Sequence, residues 1–367
     1  MRKSNIIDMR SRSPYVYKSD SYSLRDCLEC CTQADLEDIA YYQGLEIPEG
    51  LKREALVNLL EPQILRDFRR LVPYFLPEDI ELLDVAVSGR PSYPEDMMGR
   101  DLYIYDLGFL FFFYENETIH PVLPEELQAI LAEALKDGLL DQMAFRQEIA
   151  DYVEALLNFY GIYELDQLVK IWNAHHRKKM DWEEAWGQVT GMEDVLACYW
   201  CDEGLVVSDY FSDYQEVDLF LDMAEDCPYY DPTPADIRKS MEGGIYRIDS
   251  TACQRLDAFV KELRGKDPDG KWDPEALLRT ILDAPLFDID GEAMLEALKE
   301  EGFPLDKPEE LQTLVRYYEE YRKGTRSWIL RGHLPSELPS EFSGPENPAP
   351  EPPSKRPFLR TIRGGKA

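Results

Sequence analysis

The 367 residues are 44% apolar, with 22 Tyr and 15 Phe, which is material for two or three cored domains and excludes a disordered chain. Asp and Glu number 72 against 40 Lys and Arg, a formal charge of −32, so the average surface repels phosphate backbones and disfavours non-specific nucleic-acid binding by the body. The seven cysteines (Cys27, Cys30, Cys31, Cys198, Cys201, Cys227 and Cys253) are too scattered for a secreted disulfide framework, and no run approaches the ~18 apolar residues of a membrane span.

Residues 1–22 are basic and polar without an apolar signal-peptide core, so they read as a flexible leader of a cytoplasmic protein with no membrane partner. From Leu24 the pattern turns helical. Thr32 and Asp35 form a capping-box pattern ahead of Leu36, Ile39 and Ala40, with Gly44 as the stop, and a second helix runs through Leu51, Ala55, Leu56, Leu59 and Leu60. The joining stretch GLEIPEGLKREALVNLL resembles the helical modules of SAP domains and of the Rho terminator N-terminus, which implies nucleic-acid contact for residues 23–61. Lys52 and Arg53 would carry that contact. Glu46, Glu49, Glu54 and Glu61 oppose it and favour a packing module.

Helix is expected to continue from Gln63 to Val87 with breaks at Pro73 and Pro77; Arg66, Arg69 and Arg70 on it read as salt-bridge partners rather than a phosphate track. After a loop over 88–99 comes DLYIYDLGFLFFFYENETIHPVLPEELQAILAEAL, from Asp101 to Leu135. Tyr103 to Tyr114 reads as a strand, Glu115 to Glu117 as a turn, Thr118 to Val122 as the returning strand, and Pro124 opens a helix with Leu127, Ile130, Leu131 and Leu135 inward. Phe109 to Tyr114 should be buried. The pattern recurs: Phe145, Ile149, Val153, Leu156, Leu157 and Tyr160 share a helical face, Leu165 to Trp172 and Met180 to Val189 are further helices, a hairpin lies near Gly204 to Val207, and Val217 to Met223 is a closing helix. Helices with a hairpin are the outline of a winged helix, so 62–138 and 140–226 are expected to be two winged-helix-like units. Acidic flanks on the first hairpin, and Asp181, Glu183 and Glu184 beside Trp182 and Trp186 in the second unit, suit a protein partner better than DNA.

PYYDPTP, Pro228 to Pro234, is a rigid connector, with Thr233, Pro234 and Asp236 opening a helix. Residues 228–338 then form a C-terminal helical domain whose last helix buries Leu311, Leu314, Val315, Tyr318 and Tyr321. Residues 339–353 are a Pro-rich linker, and 354–367 a basic tail with Lys355, Arg356, Arg360, Arg363 and Lys366 and no acid. The fold class expected is therefore mainly α with small β-hairpins.

No phosphate-loop, dinucleotide-binding or nucleophile-elbow motif is present, and the carboxylates are too numerous to nominate a catalytic pair, so no catalytic residue, cofactor or metal is expected. Cys27-x-x-Cys30 and Cys198-x-x-Cys201 have zinc spacing, but bulky residues sit inside both pairs and the pairs lie in different modules; buried thiols are favoured. His175 and His176 are expected to cap a helix end in solvent. Asp267-Pro-Asp269-Gly270 and Asp288-Ile-Asp290-Gly291 lack the first aspartate and last glutamate of a calcium loop and read as turns.

YYEEYRKGTRSWILRGHLPSEL, Tyr317 to Leu338, resembles the closing segment of a group of largely uncharacterised bacterial proteins with a Rho-type helical module, a winged-helix-like middle and a TRxWxLRGHxPxEL ending. Thr325, Arg326, Trp328, Arg331, Gly332, His333, Pro335, Glu337 and Leu338 fit that ending, and PYYDPTPADIRKSMEGGIYR fits an interior stretch. Family members often carry a SEC-C zinc tail after it. Here no cysteine follows Cys253 and no histidine follows His333, so that zinc is not implied, and the basic tail is the candidate replacement contact. Trp328, Arg331 and His333 are candidate interaction residues, with burial of the Trp and ion pairing of Arg326 or Arg331 the favoured alternative. The functional expectation is a non-enzymatic cytoplasmic adaptor or regulator with a protein partner; a nucleic-acid-associated regulator using the N-terminal module and the tail is the alternative.

Overall fold

The computed structural model describes residues 22–48, 50–89, 103–115, 118–244, 250–264, 274–300 and 307–338. The leader up to Ser21, the 88–99 loop beyond Gly89, Asp267 to Gly270, the Pro-rich linker and the basic tail lie outside them; Tyr22, expected in the leader, is instead buried and stacked on Phe113. The protein is mainly helical with small antiparallel sheets, and no helix among the described residues is long and apolar enough to cross a membrane. Two compact units are present: one holds the chain up to Ala150 together with Gly187–Cys198, the other Asp151–Trp186 and the chain from Tyr199.

The first unit opens with α1 (Leu24–Cys30) and α2 (Gln33–Tyr42), each started by a capping box, Ser23 with Asp26 and Thr32 with Asp35. Next, α3 (Arg53–Leu71) runs unbroken across Pro62 and buries Leu56, Leu60, Ile64 and Phe68. A 3-10 turn (Val72–Tyr74) leads into α4 (Pro77–Val87). The expected strand from Tyr103 is shorter than its composition suggests: Tyr103–Asp106 is a helical turn, α5, and β1 spans only Phe111–Glu115. Gly108 is the physical reason. It sits at φ +72, where a side chain is strained, and a Cβ there would stand 3.0 Å from both Ile39 and Ile64, so the chain turns at this glycine instead of extending. Beyond it β1 pairs with β2 (Thr118–Val122), Phe111 opposite Val122 and Phe113 opposite His120.

As expected, the Phe109 run is core: Phe109, Leu110, Phe111 and Phe113 are buried, and Phe109 meets Phe68 edge-on at 5.0 Å. The following helix, α6 (Glu125–Lys136), buries Leu127, Ile130 and Leu131 but leaves Leu135, in its last turn, exposed. The Glu125 N–H donates to the Tyr22 carbonyl at 3.0 Å, and the Leu24 N–H to Glu126 at 2.8 Å. α6 thereby shares one core with the N-terminal helices.

From α7 (Leu139–Tyr160) the chain enters the second unit. Gly161 ends the helix at φ +68, and β3 (Ile162–Glu164), not anticipated from the sequence, follows it before α8 (Leu165–His175). After α9 (Trp182–Leu196) come β4 (Tyr199–Asp202), β5 (Leu205–Ser208) and α10 (Tyr214–Ala224). The sheet order is β3-β5-β4, all antiparallel, with Ile162 opposite Val207 and Cys201 opposite Val206. The connector then leads to α11 (Pro234–Gly243), opened by the Thr233–Asp236 capping box. The remaining helices are α12 (Thr251–Arg264), α13 (Pro274–Asp283), α14 (Gly291–Glu300) and α15 (Pro308–Arg322), packed around Leu256, Val260, Ile281, Leu298, Leu314 and Tyr318.

Candidate interaction surfaces and a ligand cleft

The residues proposed for nucleic-acid contact in the N-terminal module have different employment. Lys52 is exposed at the start of α3, whereas Arg53 donates from Nε to the Cys31 carbonyl at 3.1 Å and from Nη2 to the Glu29 carbonyl. These carbonyls close α1, whose last turn holds no basic residue of its own, so Arg53 serves as its C-terminal cap. Nearby, Arg25 pairs with Glu61 at 2.7 Å, and Arg70 with Asp67 at 3.2 Å and Asp194 at 2.9 Å.

Trp328, Arg331 and His333 are brought together in the second unit by a run of turns after α15. Trp328 is fully buried; its ring lies among Tyr210, Phe211 and Phe287, and its Nε1 donates to the Asn158 carbonyl at 3.1 Å. Arg331, at φ +45, is 6% exposed; Nη1 donates to the Tyr229 hydroxyl at 2.6 Å, and the guanidinium lies 4.6 Å from the Tyr229 ring centre. That hydroxyl in turn donates to Glu164. Burial raises the Tyr229 pKa against the opposing pull of Arg331, so the phenol stays protonated and can serve this relay. Arg326, not Arg331, is the one paired with a surface carboxylate: it meets Glu337 at 2.9 Å and stacks on Tyr230 at 3.7 Å. His333 has its Nδ1 3.7 Å from Glu337 and its ring edge-on to Tyr230; neither ring nitrogen makes a hydrogen bond among the described residues. The segment is thus a plug in the core with a narrow polar edge. Lys355, Arg356, Arg360, Arg363 and Lys366 lie outside the described residues.

The expectation that His175 and His176 cap the helix end in solvent holds in part: both stand at the C-terminal end of α8 and are half-buried. His176 stacks on Trp172 at 3.8 Å and its Nδ1 lies 3.1 Å from the Trp172 carbonyl, while His175 Nδ1 lies 2.9 Å from the Tyr152 hydroxyl. The aromatic face of α8 and Tyr152 covers one side of these rings. Lys179 adds to the capping, donating to the Asn173 and His176 carbonyls. Cys27 is buried in α1, and burial pushes its thiol pKa up, away from metal-binding thiolate. Among the described residues no three His, Cys, Asp or Glu side chains are grouped to hold a metal. Asp290 caps α14 and Asp288 pairs with Arg322 at 2.7 Å.

A surface in the second unit combines aromatic exposure with one sign of charge. The turn Asp202–Glu203–Gly204 joins β4 to β5. Trp182, 39% exposed and stacked on Trp186 at 5.4 Å, abuts Gly204, and Tyr214, 60% exposed, packs edge-on against Trp200 at 5.4 Å. The Asp202 carboxylate beside it raises the Tyr214 hydroxyl pKa, with a smaller push from Glu203. From Met180 to Ile237 the chain carries sixteen Asp and Glu and no Lys, Arg or His.

Compared with family models, curated proteins and solved structures, the chain matches none.

In the first unit, sequence reasoning missed Arg146. It lies three residues before Ile149 and seven before Val153, on the buried face of α7, and lines a cleft with Arg69, Gln142 and Glu133. The signal was legible: a charge at an apolar position of a helical stripe needs a reason.

Proposed function

We propose that this protein acts in the cytoplasm by binding rather than by catalysis, as an acidic adaptor that docks a basic segment of another protein on the turn Asp202–Gly204. The observation that carries this reading is the pair of exposed aromatics, Trp182 against Gly204 and Tyr214 beside Asp202, within a stretch that has sixteen acids and no cation. Arginine and lysine side chains gain from aromatic faces and from carboxylates together. The order helix, β3, α8, α9, β4, β5 with β5 central is also that of a winged helix, which supports reading 140–226 as such a unit. In it α9 takes the position of a groove-reading helix, but Asp181, Glu183 and Glu184 at its start would face phosphates with the wrong sign. For 62–138 the winged-helix reading rests on the β1–β2 hairpin alone, and for 23–61 the Rho-type reading rests on α1 to α3 and the turn between them.

The alternative, a nucleic-acid-associated regulator, keeps Lys52 and the five tail cations but loses Arg53 to capping. Two measurements separate the readings. Capture from a lysate of the native host, at near-physiological salt, should yield proteins with Arg- or Lys-rich segments that a Trp182→Ala/Tyr214→Ala variant fails to hold. Electrophoretic binding across a salt series should show no tight nucleic-acid complex; a steeply salt-dependent complex that vanishes on deleting 354–367 would replace the adaptor reading with the alternative.

A further inference from the structure

A cleft of about 400 Å³ opens in the first unit between the end of α3, the 3-10 turn, α6 and the start of α7, within the usual range for small-molecule sites. Arg146 lines it, with Gln142 one turn earlier on the same helix and Arg69 on α3. Arg146 is only 7% exposed, yet no carboxylate of the described residues pairs with it. Its Nη2 donates to Gln142 at 2.7 Å, its guanidinium carbon lies 5.9 Å from the Tyr74 ring centre, and Nε and Nη1 are enclosed with no hydrogen-bond partner. A buried guanidinium is strongly destabilising without an anionic acceptor, and replacing its lost water normally takes a carboxylate. In a chain with 72 acidic side chains the missing partner does not reflect a shortage of carboxylates.

The walls select among anions. Ile130, Ala134 and Leu139 present apolar surface, and Glu133 and Asp137 line the same cleft. Two carboxylates nearby make a dianion such as phosphate unfavourable, while a singly charged head on an apolar body meets both conditions. We propose that this cleft is a binding site for a small monocarboxylate with an apolar body, whose entry draws the enclosed Arg146 guanidinium outward to pair with its carboxylate. The site is separate from the docking turn and does not depend on the adaptor reading.

Isothermal titration of the full-length protein with 3-phenylpropanoate and hexanoate tests the assignment, with the two corresponding amides and inorganic phosphate as controls. The carboxylates should bind and the amides and phosphate should not, and Arg146→Met should weaken binding by about 10- to 100-fold, the loss expected for a charge-assisted hydrogen bond. Should that variant misfold, methyl resonances of the wild-type protein locate the ligand: Ile130 and Leu139 should shift on titration. Absence of carboxylate binding, equal binding by the amides or by Arg146→Met, a preference for phosphate, or shifts confined to methyls outside the cleft would each overturn the proposal.

Discussion

The indole of Trp328 packs so closely on Gly161 that a Cβ at that position would stand 2.5 Å from Cδ2 and Cε3, and the same glycine turns the chain from α7 into β3 at φ +68. Gly161→Ala therefore combines a left-handed backbone penalty with overpacking. It should destabilise the protein by about 2–5 kcal/mol. Trp328→Ala, which empties the same contact, should lose about 3–5 kcal/mol. Urea denaturation followed by tryptophan fluorescence and circular dichroism measures both; a wild-type midpoint for Gly161→Ala would contradict the close packing.

Arg53 and Lys52 are adjacent and equally charged, but only Arg53 donates to the carbonyls that end α1. Arg53→Ala should cost about 1–2 kcal/mol, and Lys52→Ala less than about 0.5 kcal/mol. Equal stabilities of the two variants would show that the cap contributes nothing.

The acid sensitivity of the second unit should depend on His175. Burial, and then the neighbouring His176, hold its pKa below the ordinary value of 6.5, so the folded state prefers the neutral ring. For a histidine with a depressed pKa the stabilisation is complete above the unfolded value and is lost as pH falls through the lower, folded one. The melting temperature should fall on acidification below 6.5, and less steeply in His175→Gln. Superimposable pH profiles for the two proteins would refute this assignment.

Arg331 and Tyr229 should be energetically coupled. Tyr229→Phe leaves the buried Arg331 Nη1 without its acceptor, and Arg331→Met leaves the hydroxyl bonded to Glu164 alone, its own acceptor site unfilled. Each single change should destabilise by about 1–3 kcal/mol, and the double variant by less than their sum. Strict additivity in a double-mutant cycle would argue that the contact is incidental.

Much of the local structure could be read from the residues. Thr32 with Asp35, and Thr233 with Asp236, cap helices as their spacing indicates, since a cap involves only neighbours in the chain. Phe109, Leu110, Phe111 and Phe113 are core, as their composition requires, and a hairpin lies near Gly204 to Val207 as expected, with Glu203-Gly204 as its turn. The helical turn at Tyr103–Asp106 was not legible, because an apolar aromatic run is equally compatible with strand and helix until Gly108 is seen pressed on Ile39 and Ile64. Nor was β3: three residues between two helices carry no periodicity, and pairing with β5 more than forty positions away defines them as a strand.

For the candidate sites the division is similar. The sequence by itself determined the acidity of the Met180–Ile237 stretch and the aromatic and basic character of the closing segment, because charge and residue type survive any folding. Only tertiary structure decided which of those side chains meet solvent. It sealed Trp328 and Arg331 inside, assigned Arg53 to a helix end, left Trp182 and Tyr214 exposed near one turn, and enclosed Arg146 with no carboxylate of the described residues paired to it. Exposure and pairing depend on contacts between residues far apart in the chain, and those distances are set by packing rather than by local sequence pattern.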